Sequence, residues 1–78
     1  MYMIKLVKNL SFIQLQSELL GKRARFKSDC QLFPKFDVIG KVIKMYIQNG
    51  EIIFEVLCNN QKQYKIGSNM SNLSYTLI

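Results

Sequence analysis

"VIGKVIKMYIQNGEIIFEVLC", residues 38–58, decides the fold. Asn49-Gly50 lies at its centre, and both residue types accept positive φ, so the pair predicts a tight hairpin. The flanks are rich in β-branched and aromatic residues, which predicts strands over 38–48 and 51–58. In the second strand Ile52, Phe54, Val56 and Cys58 share the face that turns inward. Glu51, Ile53, Glu55 and Leu57 share the other, which is half apolar. In the first strand Ile39, Ile43, Met45 and Ile47 compete with Val38, Val42 and Tyr46 for the interior. A β-bulge near Ile43-Lys44 reconciles part of that conflict. The apolar residues left outside predict a covered sheet. The cover expected is the N-terminal helix, with a homodimer or a partner protein as the other candidates.

Upstream, "KRARFK" alternates, with Arg23, Arg25 and Lys27 on one face and Ala24 and Phe26 on the other, so it predicts a strand. "SDCQLFPKFD" then holds the only proline between two aspartates and predicts a long loop. Downstream, "NNQ" predicts a turn, "KQYKI" (62–66) a strand, "GSNMSNL" one short 3₁₀ turn, and "SYTLI" a last strand. Before all of these, Ser11 with Gln14 fits a capping box. Phe12, Leu15 and Leu19 make an apolar stripe, widened by Ile13 and Leu20, and Gly21 makes a natural stop. A helix is predicted over about 11–20. Residues 1–9 fit either a short strand or a ragged helix start. The order predicts a mainly β domain over residues 1–78: a five-stranded SH3-like barrel over 21–78, with a short N-terminal helix packed on it.

The 78 residues carry 11 Lys plus Arg against 5 Asp plus Glu, a net charge of +6. That balance favours an anionic partner, although lysines also keep small domains soluble. Almost half of the residues, 49%, are hydrophobic, which suits a folded domain. No apolar run approaches the roughly 18–20 residues of a membrane span, so a soluble cytoplasmic protein is expected. Cys30 and Cys58 make neither a CxxC pair nor a zinc set; a reduced pair is expected, with a disulfide as the alternative.

Catalytic constellations are thin. There is no histidine, no P-loop and no GxGxxG. The carboxylates at 18, 29, 37, 51 and 55 suggest no acid/base pair beyond Asp29 and Asp37, which suit turn capping better. No enzymatic activity, metal or cofactor is expected. The cations say more. Arg23, Arg25, Lys27, Lys41, Lys44, Lys62 and Lys65 all fall on or beside strands, with Tyr46 and Tyr64 nearby. Cationic surface with stacking rings is what single-stranded nucleic acid needs, and arginine forks hold phosphates. The bland counterpart is a solvated strand face. A second candidate surface is a protein interface of Phe33, Pro34, Phe36, Tyr46, Ile53 and Leu57, against the plain reading that the loop rings close the core.

"GKRARFKSDC", "FPKFDVIGKV" and "IGSNMSNLSY" together resemble small phage and prophage proteins of low-GC Gram-positive bacteria. The resemblance spans residues 21–78 and leaves the first twenty outside. It implies an SH3-like mobile-element protein of the bacterial cytoplasm. Such proteins bind nucleic acid or nucleoprotein complexes, or inhibit a host machine such as a CRISPR nuclease.

Overall fold

The computed structural model describes residues 4–28 and 37–78. Strand β1 (Lys5–Leu6) runs into a 3₁₀ turn at Val7–Asn9 and then helix α1 (Phe12–Leu19). Strands β2 (Arg23–Lys27), β3 (Asp37–Gln48), β4 (Glu51–Leu57), β5 (Gln63–Gly67) and β6 (Ser74–Leu77) follow. They form one six-stranded antiparallel sheet in the order β1-β6-β2-β3-β4-β5. Of residues 1–9, the described part, 4–9, gives a two-residue strand and then a 3₁₀ turn, not an α-helix start.

The expected SH3-like barrel does not form, because the sheet stays open. Closure would need β5 to pair with β6. Both sides of β6 are already taken, by β2 and by the N-terminal strand β1. The concave side is filled instead by the N-terminal segment. Val7, Leu15 and Leu19 belong to the same core cluster as Phe26, Val42, Phe54, Val56 and Ile66. The helix is thus a plug on the inner face, and not the cover of the outer face that the apolar surplus predicted.

The local signals explain the elements. Ser11 Oγ accepts from the Gln14 N–H at 3.2 Å, and Gln14 Oε1 accepts from the Ser11 N–H at 2.9 Å, completing the capping box. Gly21 has φ +81°, a left-handed value that glycine adopts without steric cost, and the helix ends there. Its N–H donates to the Val42 carbonyl at 2.8 Å, tying the helix exit to β3. Asn49 (φ 53°) and Gly50 (φ 75°) make the β3–β4 turn, the two positive angles of a type I′ hairpin. The β3–β4 register slips between Val42 and Lys44, so Ile43 is the bulged residue. The slip lets Val42 and Met45 both face inward while Ile39, Ile43 and Ile47 are exposed. The segment before β6 makes two successive tight turns and not a 3₁₀ helix, with Met70 N–H on the Gly67 carbonyl and Leu73 N–H on the Met70 carbonyl.

Three rings anchor the core. Phe26 lies 5.4 Å from Phe54 and 6.4 Å from Tyr75 between centroids, both tilted. Glu18 joins the layers at their edge. It accepts from Lys5 Nζ at 2.6 Å and from the Tyr75 hydroxyl at 2.7 Å, linking α1 to β1 and β6. The Lys5 and Tyr75 hydrogen bonds hold the Glu18 carboxyl below its usual range. Burial, and then the Glu18 contact, push the Tyr75 phenol well above its own.

Candidate anion-binding face

Residues directly opposite each other in an antiparallel ladder share a face, so the registers map the convex side. β2 buries Ala24 and Phe26 and exposes Arg23, Arg25 and Lys27. Arg25 stands between Ile39 and Thr76, and Lys27 between Asp37 and Ser74. Arg23 faces Lys41, and Lys41 faces Leu57. Beyond the bulge, Lys44 faces Glu55 and Glu55 faces Lys65. One face therefore carries Arg23, Arg25, Lys27, Lys41, Lys44 and Lys65 against Asp37, Glu51 and Glu55. Six of the seven cations selected from the sequence come together there. Lys62 stands apart, in the turn before β5, with its N–H on Asn60 Oδ1.

These cations are not equivalent. Arg25 is spoken for: its Nε and Nη2 donate to the two Asp37 oxygens at 2.9 and 2.6 Å. The bond raises the guanidinium and lowers the carboxyl from their ordinary values, and both side chains remain well exposed. Lys44 Nζ lies 5.4 Å from the centroid of the Tyr46 ring, a cation–π contact, and stands opposite Glu55. Burial and the Glu55 carboxylate raise the Tyr46 phenol. Arg23 and Lys41 differ from both. They are directly opposed like charges, a destabilising pairing, and neither has an ion pair with a described residue.

The protein-interface set divides. Tyr46, Ile53 and Leu57 lie on this same convex face, Tyr46 opposite Ile53. Phe33, Pro34, Phe36 and Cys30 fall outside the described residues. Cys58 is a half-buried free thiol at the end of β4. Tyr64 stands opposite the buried Val56, so it belongs to the inner side despite its partial exposure. Tyr46, Ile53 and Leu57 thus share one mixed surface with six of the cations, cationic rows interrupted by aliphatic side chains.

The structure adds a groove of about 270 Å³ at one end of this face. Ile4, Ile39, Leu77 and Ile78 make it mainly apolar, while Ser74, Thr76, Arg25 and Lys27 line it as well. The alternation of Ser74, Thr76 and Ile78 in "SYTLI" marks one strand face. Nothing in the sequence says that β2 is the neighbour of that strand. Among the described residues no three Cys, His, Asp or Glu side chains gather into a metal site. Nor is any described helix long and apolar enough to cross a membrane. Comparison with known proteins gives no match: no family model fits the chain, and no curated protein or solved structure is similar to it.

Proposed function

We propose that the convex sheet face binds a polyanion, with nucleic acid, alone or within a nucleoprotein complex, as the ligand class. The opposed Arg23 and Lys41 carry this reading. Two like charges held face to face repel, and phosphates placed across them turn that repulsion into attraction. Lys27, Lys44 and Lys65 extend the same field over the sheet. The resemblance to phage and prophage proteins supplies the setting, a mobile-element protein acting in the bacterial cytoplasm. A second reading rests on the exposed Ile39 and Ile43 with Ile53 and Leu57: a protein-binding inhibitor of a host machine such as a defence nuclease. Both readings need no catalytic group.

Salt dependence tests the first. Engagement of Arg23, Lys27, Lys41, Lys44 and Lys65 with phosphates gives a slope of about −0.9 per contact, so affinity drops roughly 10²–10³-fold between about 50 and 200 mM salt. Fluorescence anisotropy with labelled DNA and RNA reads this directly. A Lys41→Glu protein that binds as tightly as the parent removes the proposal.

A further inference from the structure

The mixture of side chains on the convex face identifies the form of the nucleic acid, and this step rests on the polyanion reading above. A duplex presents phosphates outward and keeps its base faces stacked inside. It satisfies cations and leaves exposed aliphatic side chains facing a charged, hydrated surface. A single strand offers both parts at once, a phosphate chain and unstacked, apolar base faces. Here the two kinds of side chain alternate over one strand spacing. Arg25 stands opposite Ile39, and Lys41 stands opposite both Arg23 and Leu57.

The groove sharpens the point. Its volume of about 270 Å³ lies just under the roughly 300–1,000 Å³ of sites for drug-sized ligands, so its occupant is small. Ile4, Ile39 and Ile78 offer apolar walls and are themselves well exposed. The Ser74 and Thr76 hydroxyls supply groups able to donate and to accept. Arg25 and Lys27 both border the groove, and among the described side chains Asp37 is the one carboxylate set against them, so these side chains leave one positive charge in surplus. Apolar walls, edge-reading hydroxyls and one surplus cation complement one nucleotide: base face, base edge and phosphate. The next row of the sheet is Arg23 and Lys41, so the neighbouring phosphates of the strand reach cations that have no ion pair among the described residues. We infer that the protein binds single-stranded nucleic acid across β6, β2 and β3, with one base seated in the groove beside Arg25, against Ile4, Ile39, Thr76 and Ile78.

The test compares labelled single-stranded 15-mers of DNA and RNA with the corresponding duplexes, using the full chain at about 100 mM salt and inorganic polyphosphate as a backbone-only competitor. The expected result is a single-strand preference of roughly tenfold or more. Ile39→Ser removes an apolar wall without changing charge, and Thr76→Val removes a hydroxyl at nearly constant shape. Each should cancel most of the preference and leave polyphosphate binding within about twofold of the parent, since neither touches a phosphate contact. Equal affinity for single strands and duplexes, or a preference untouched by both variants, overturns the groove inference while the polyanion reading stands. Failure to bind any of these polyanions overturns the polyanion reading itself, and the groove inference falls with it.

Discussion

The two faces of one sheet divide this molecule's work. Along β2 the inner residues Ala24 and Phe26 are wholly buried, and the outer residues Arg23, Arg25 and Lys27 are exposed. Both sets come from one five-residue strand, whose pleat sends successive side chains to opposite faces. The inner face is chosen by volume. It is closed by a helix and a 3₁₀ turn, and its polar edge is satisfied through Glu18. The outer face is chosen by charge, and it retains a repulsive Arg23–Lys41 pair that folding alone does not require. The polyanion proposal rests on that pair.

That contrast can be broken in four ways. The largest effect belongs to the inner face. Phe54→Ala removes a ring packed against Phe26 and costs about 3–5 kcal/mol. A chain of this size has roughly 3–5 kcal/mol of net stability, so the variant should be unfolded by circular dichroism at 25 °C. A cooperative melt close to that of the parent would show that the core does not rest on this ring. Next comes Gly40→Ala. Gly40 stands opposite Ala24, and a Cβ there would meet the Leu57 carbonyl oxygen and Val56 Cγ1, each at 2.6 Å. Overpacking of this kind costs about 1–3 kcal/mol, readable as a lower urea midpoint.

A smaller effect lies at the edge between the faces. The Glu18 carboxyl is held below its ordinary value of 4.5 by Lys5 and Tyr75. Its contribution to stability is therefore whole above pH 4.5 and is lost as pH falls through the lower folded value. Glu18→Gln should flatten that acid limb in thermal melts taken from pH 6 down to 2; an unchanged limb would place acid sensitivity elsewhere. The smallest stability effect belongs to the outer face. Lys41→Glu should alter the urea midpoint by the equivalent of no more than about 0.5 kcal/mol, because the side chain is exposed. The sign should be stabilising, since an opposed like pair becomes an opposite one. The same substitution is expected to abolish nucleic-acid binding, so the two faces separate in a single protein. Marked destabilisation by Lys41→Glu would end the division drawn between them.

Local signals were legible because the interactions behind them are local. Ser11 and Gln14 sit one turn apart, so the capping box depends only on their spacing. Asn49-Gly50 fixes its turn through two backbone angles. The bulge beside Val42 was readable because two inward phases compete within one strand. Charge alternation in "KRARFK" put three of the cations on one side, as found. The groove was hidden, because Ile39, Thr76 and Arg25 meet only through pairings made across long stretches of chain.

By itself the sequence determined the helix and its caps, the hairpin, the strand over "KRARFK" and a basic surface on one side of it. Each follows from periodicity, turn chemistry or charge within a few residues. Tertiary structure alone decided whether the sheet closes. Five strands in this order are compatible with a barrel. A two-residue strand, Lys5–Leu6, instead takes the free edge of β6, and Val7, Leu15 and Leu19 fill the concave side. That outcome rests on competition between distant segments for one sheet edge and one apolar cavity. Such a competition is settled by packing and leaves no periodic mark in the chain.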